Sequence, residues 1–97
     1  MKNYFVYICT NPNVTMLYIG VSNSLKRRLQ EHCLNATTAR SSFAGKYNCY
    51  NLLYYEVYTS ISVAIAREKE LKGWTRVKKL NLIATINPSF QFLDPPN

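Results

Sequence analysis

Two short runs near the start of the chain leave little freedom in how it can fold. Residues 4–10 (YFVYICT) and 16–21 (MLYIGV) consist largely of aromatic and β-branched residues, and Asn11-Pro12-Asn13 stands between them. Residues of the first kind suit a pleated, half-buried surface, whereas asparagine and proline favour turns. The pair predicts two antiparallel strands joined by a turn. The period then changes. From Ser24 to Leu34, Leu25, Leu29 and Cys33 recur every four residues while Lys26, Arg27, Gln30 and Glu31 face away, which predicts a helix capped by the preceding Ser/Asn cluster.

Residues 35–50 are polar and aperiodic and read as a loop carrying Arg40 and Lys46, and Leu52–Tyr58 reads as a third strand. A cap within Thr59–Ser62 opens a second helix, with an apolar stripe of Ile61, Ala64, Ile65 and Leu71, that ends at Gly73. Thr75 caps a third, with Val77, Leu80 and Ala84 on one face and Asn87-Pro88 as the stop. The order β-β-α-β-α-α predicts an α+β fold: a small three-stranded antiparallel sheet flanked by helices. Residues 1–93 are expected to form a single domain, with 94–97 a frayed tail containing Pro95-Pro96.

At 97 residues the chain can bury only about two-thirds of its unfolded surface, leaving no room for a deep organic-cofactor cavity. Its first residues read as a strand rather than a signal peptide, and no apolar run approaches the roughly 18 residues of a membrane helix. A cytoplasmic protein with no membrane partner is the expectation. Three cysteines (Cys9, Cys33, Cys49) without C-x-x-C spacing, and a single histidine, suit reduced thiols better than zinc or disulfides. Twelve Lys+Arg against five Asp+Glu, a net charge of +7, favour a polyanionic partner.

The acids are few enough to argue by elimination: Glu31, Glu56, Glu68, Glu70 and Asp94. Two-metal hydrolysis needs several converging carboxylates. Glu70-Leu71-Lys72 spells E-x-K, but no upstream aspartate completes such a site. A Ser-His-Asp triad would need His32 beside Asp94 in the tail, and the glycines are too scattered for a phosphate loop. Glu68 stands out because it falls four residues after Ala64 and three before Leu71, on the core side of its helix. A carboxylate there needs a partner: either Lys72, one turn on, or a cation. Arg28 and His32, four apart, share one helix face; an arginine fork suits a phosphate and a neutral histidine can relay a proton. By themselves Tyr7 and Tyr18 read as strand packing with tethered hydroxyls.

These residues, in this order, resemble the GIY-YIG nuclease superfamily, and look most like its small stand-alone bacterial members, related to the nuclease module of the excinuclease C subunit. Phe5-Val6-Tyr7 stands where the name implies Gly-Ile-Tyr, and Tyr18-Ile19-Gly20 is intact. Arg28, His32, Arg67-Glu68-Lys69 and Asn87 follow in the expected order, as do Lys46-Tyr47-Asn48 and the third strand, and the likeness covers residues 4–93. The resemblance implies a DNA endonuclease working through one divalent ion, Mg²⁺ or Mn²⁺, held by Glu68. Tyr7, Tyr18, Arg28, His32 and Glu68 would be the catalytic set. Tyr7 would activate water, helped by Tyr18 or His32, and Arg28 would neutralise the phosphorane-like transition state. Gly20, Lys26, Arg27, Lys46, Lys72 and Asn87 would touch substrate, within a basic surface that also includes Arg67, Lys69, Arg76, Lys78 and Lys79. With no element suited to reading bases, contact with the backbone is expected. Cleavage would be non-specific or directed by nucleic-acid structure, as in DNA repair or recombination. The alternatives are a non-catalytic nucleic-acid-binding module of the same fold and a structural protein docking on RNA through its charge.

Overall fold

The computed structural model describes residues 2–37 and 49–96, with the side chains of residues 32 and 35–37 outside the described set. Strand β1 (Tyr4–Thr10) pairs antiparallel with β2 (Leu17–Ser22) on one side and β3 (Asn51–Tyr58) on the other, so the sheet order is β2-β1-β3. Helix α1 (Leu25–Thr37) follows β2, and α2 (Ile61–Lys72) and α3 (Arg76–Ala84) follow β3. The α+β order read from the sequence is the order of the fold.

A continuous apolar run belongs to a strand covered on both faces, and β1 is buried from Phe5 to Thr10. Phe5, Tyr7 and Cys9 pack with Leu25 and Leu29 of α1, together with Cys49 and Leu52. Val6 and Ile8 point the other way, into a second core with Ala64 and Leu71 of α2 and Ile83 of α3. The sheet is therefore a partition between two cores.

The turn between β1 and β2 is built around Asn11. Its side-chain oxygen accepts from Thr15 N (2.8 Å) and Met16 N (2.9 Å), and its backbone carbonyl accepts from Val14 N (3.0 Å). An asparagine side chain mimicking a backbone turn is the reason this residue type suits the position. Val14 takes the left-handed conformation (φ 54°) to close it. In β3 the register slips between Ile8 and Cys9, which face Tyr54 and Leu52, so Leu53 is the extra residue of a bulge. Leu52 O accepts from Leu93 N (2.8 Å), and Leu53 O from Asn87 Nδ2 (3.0 Å), which ties the C-terminal segment to the bulge.

The helices depart from the sequence reading in detail. α1 runs to Thr37 rather than ending near Leu34, because neither glycine nor proline interrupts residues 35–37. Ser60 is the cap of α2, accepting from Val63 N, and Thr75 caps α3, accepting from Lys78 N. α2 buries only Ala64 and Leu71; Ile61 and Ile65 of the expected stripe are exposed. On α3 it is Ile83 that is buried, while Val77 is 66% exposed. Three strands make a platform too narrow to cover a wide stripe on either helix. α3 ends at Ala84, ahead of Asn87-Pro88, with Thr85 as its cap.

Candidate active site

Alternation along β1 sends the Tyr7 side chain to the α1 side of the sheet, where it is 1% exposed. In the strand register Tyr7 faces Gly20 of β2. A Cβ built on Gly20 would lie 2.5 Å from the Tyr7 hydroxyl oxygen and 2.7 Å from Cζ, so the phenol lies directly across the bare Cα. Among the described residues no glycine has positive φ, and Gly20 is needed for space rather than for backbone freedom. The close approach it permits is that of Tyr7. Tyr18, one turn of the pleat away, stands beside it with ring centroids 6.3 Å apart.

Two charges from opposite layers act on the ionisation of the Tyr7 phenol. Burial raises its pKa well above the ordinary value; the neighbouring Cys9 and Tyr18 add to this, Arg28 opposes it, and Glu68 adds again. Arg28 comes from α1 and Glu68 from α2, so charges on two helices bear on the ionisation of one strand phenol. Arg28 is 42% exposed and, among the described residues, makes a loose ion pair with Glu31 (3.5 Å). Glu68 is 17% exposed and meets Lys72 Nζ at 3.3 Å, one turn on, with that lysine 52% exposed. The lysine partner that the sequence allowed for Glu68 is present. It does not exclude the cation, since a half-exposed ion pair of this kind is weak.

Among the described residues no three His, Cys, Asp or Glu side chains cluster to hold a metal. A cation here would rest on Glu68, with water and phosphate oxygens completing its shell. That donor set fits Mg²⁺, which keeps several waters and binds through one or two carboxylates plus substrate phosphates.

His32 lies on α1 with its side chain outside the described set, and Lys46 lies outside the described residues altogether. Lys26 and Arg27 are exposed on α1, Arg27 reaching Asn23 Oδ1 (3.3 Å). Asn87 has a different occupation from the expected one. It is 6% exposed; its amide donates to Leu53 O (3.0 Å) and Gln91 O (2.9 Å), and accepts from Gln91 N (3.1 Å). Both amide hydrogens are committed to backbone, so the group anchors the C-terminal segment.

Arg67 likewise leaves the expected basic surface. Its Nε and Nη2 grip the two oxygens of Glu56 at 2.9 and 3.0 Å, and Nη1 reaches Glu70 (3.0 Å). Tyr54 and Tyr58 donate to the same Glu56 carboxylate, and the guanidinium lies 5.1 Å from the Trp74 ring centre. Burial works against the Glu56 charge, but the hydrogen bonds from Arg67, Tyr54 and Tyr58 outweigh it and hold the carboxyl below its ordinary value. Sequence reasoning passed over this network. Its one signal was Tyr54, Glu56 and Tyr58 at alternate positions, hence on one face of β3.

The fold is that of a small α+β domain, and its sequence places it in the nuclease class. The chain belongs to the GIY-YIG family: residues 3–81 match the sequence model described as the GIY-YIG catalytic domain. A UPF0213 protein of Staphylococcus aureus strain Mu3 is 33% identical over 85 residues, covering 86% of this chain and 96% of that protein, and one from strain N315 matches to the same extent. The solution NMR structure of the UPF0213 protein BH0048 from Bacillus halodurans shares the fold, with TM-score 0.54 and 24% identity over 88% of this chain and 86% of that one. Nucleases of the GIY-YIG family generally use a divalent metal. Among the described residues no helix is long and apolar enough to cross a membrane.

Proposed function

We propose that this protein is a metal-dependent endonuclease that hydrolyses phosphodiester bonds in DNA with one divalent ion, Mg²⁺ or Mn²⁺, at Glu68. The observation that carries this reading is the buried Tyr7 phenol, set across Gly20 and beside Tyr18, whose ionisation feels the charges of Arg28 on α1 and Glu68 on α2. The cation would supply charge stabilisation at the scissile phosphate and at the leaving oxygen.

The remaining work falls to the chain. In the reaction water attacks phosphorus, the P–O bond to the leaving oxygen breaks, and the water proton must be taken up. Arg28, loosely paired and half-exposed, is free to turn its fork onto the phosphate oxygens as negative charge builds on them. Tyr7 orients the attacking water through its hydroxyl. Burial keeps that phenol protonated in the free protein, so Tyr7 could take the water proton only as phenolate, after giving its own proton to solvent; Arg28 favours that loss and a cation held by Glu68 would add to it. Tyr18 packs beside Tyr7 and holds the ring in place, and His32 is the candidate relay from water to solvent. Lys26, Arg27 and Lys72 contribute phosphate contacts, with no requirement for base readout. DNA repair or recombination is a setting such chemistry suits.

The second reading, a nucleic-acid-binding module without activity, draws on the Lys72–Glu68 pair, which satisfies the acid without metal. Supercoiled plasmid incubated with the protein and Mg²⁺ or Mn²⁺ separates the two. Nicking by the wild type that disappears in Glu68→Ala, with salt-sensitive DNA binding retained, supports the enzyme. Equal nicking by both proteins removes the proposed site, and DNA binding with no nicking by either favours the module.

A further inference from the structure

Beside the candidate site, where the outer edge of β2 meets the end of α2 and the middle of α3, lies an open cleft of about 260 Å³ lined by Leu17, Tyr18, Ile19, Lys72 and Lys79. Its charged groups are two lysines, and no acid lines it. No ion pair within the described residues engages Lys79. Two of the lining residues connect the cleft to the site by independent contacts. Tyr18 stands against Tyr7, and Lys72 pairs with Glu68. A lining of apolar side chains with two ammonium groups suits a sugar-phosphate unit, whose deoxyribose would pack on Leu17 and Ile19 while its phosphate would meet both lysines.

We propose that this cleft seats a backbone phosphate of the DNA strand next to the one that is cut, and that Lys72 serves both the seat and Glu68. In the free protein the Lys72 ammonium neutralises the Glu68 carboxylate. When the cleft fills, the flexible lysine stem carries the charge to the phosphate and leaves the carboxylate to the cation. Lys72 is thus a positioning residue that keeps the acid stable without metal and links substrate entry to cation binding. This inference rests on the nuclease reading for Glu68, but the phosphate seat can be tested apart from it.

Two measurements on the full chain test it. Mn²⁺ binding without DNA is followed by electron paramagnetic resonance for wild type, Lys72→Met, Lys79→Met and Glu68→Gln. Lys72→Met should bind Mn²⁺ roughly 1.5- to 5-fold more tightly, the range set by a surface ion pair, while Lys79→Met is unchanged. Binding of a fluorescein-labelled DNA duplex in EDTA is then measured by anisotropy against salt. Each lysine variant should lower the slope of log K against log[salt] by about one, and Lys72→Arg, which keeps the charge, should restore it. Unchanged or weaker Mn²⁺ binding by Lys72→Met overturns the shared role, and unchanged salt slopes for both lysine variants overturn the phosphate seat. Should Glu68→Gln bind Mn²⁺ as well as wild type, it is the nuclease reading that fails, while the salt slopes still decide the seat.

Discussion

Substituting Gly20 by alanine tests the spatial relation on which the candidate site depends. The added Cβ would stand 2.5, 2.7 and 3.0 Å from Oη, Cζ and Cε1 of Tyr7, against an ordinary contact distance of 3.4–4 Å. Tyr7 is 1% exposed and walled by Phe5, Leu25 and Leu29 on its own side of the sheet, so the ring cannot swing to solvent and must shift by up to about 1 Å. Overpacking of this kind costs about 1–3 kcal/mol. Because Gly20 is not in a positive-φ conformation, alanine also restricts the unfolded chain and returns about 0.4–1 kcal/mol. The midpoints of these ranges leave a net loss of about 1.3 kcal/mol. At about 4–8 °C per kcal/mol for a domain of this size, Tm should fall by roughly 5–10 °C in a circular-dichroism melt. Nicking by the folded protein should fall about 100-fold, the usual effect of displacing a reacting group by 1 Å. Tyr7→Leu supplies the control, because leucine lacks all three clashing atoms. In that background Gly20→Ala should be neutral or stabilising. An equal loss of Tm in both backgrounds, or none in the wild type, would refute the claim that Gly20 is there to admit the Tyr7 phenol.

Other outcomes follow from the same geometry. Arg28→Ala should lower the nicking rate by about 10²–10³ while shifting stability by less than about 0.5 kcal/mol, since the pair it forms with Glu31 is loose and half-exposed. Glu56→Gln weakens a charged hydrogen-bond network and should cost about 1.5–3 kcal/mol in urea unfolding. Glu56 has a folded pKa lowered from 4.5, so its contribution is fully present above pH 4.5 and lost as pH falls through the folded value. Melts between about pH 6 and about pH 3 should therefore show an acid-side loss of stability that is smaller in Glu56→Gln than in wild type. Asn87→Ala leaves the buried Leu53 carbonyl without its side-chain donor and should cost about 1–3 kcal/mol. Its remaining folded fraction should still nick plasmid at close to the wild-type rate, whereas a hundredfold loss would return Asn87 to the substrate surface.

The element order was legible because period and punctuation are local properties. The strands at YFVYICT and LLYYEVY, a cap within Thr59–Ser62 and one at Thr75, and a turn in Asn11-Pro12-Asn13 each follow from a few adjacent residues, and the structure places them there. Helix faces were legible only in part. Periodicity shows that α2 has an apolar side, but whether Ile61 and Ile65 are covered depends on the width of the sheet beneath them. The basic residues were visible as charge, yet their availability was not. Arg67 is removed from the surface by Glu56, a partner 11 residues away that is brought under α2 only when the helix folds back across β3. Asn87 is similar: its amide meets a carbonyl that exists as an acceptor because Leu53 bulges out of register.

The kind of chain this is could be read from residue order: the three strands and three helices of the described residues, a strong positive charge, and one acid on the core side of its helix. Those features come from residue type and spacing, which act over a turn of helix or a pleat of strand. Only the folded chain shows that Tyr7 lies across Gly20, that the charges of Arg28 and Glu68 act on that phenol from opposite layers, and that Lys72 both pairs with Glu68 and lines the cleft at the β2 edge. Strand register and helix crossing set those relations, and both are fixed by contacts between residues far apart in the chain.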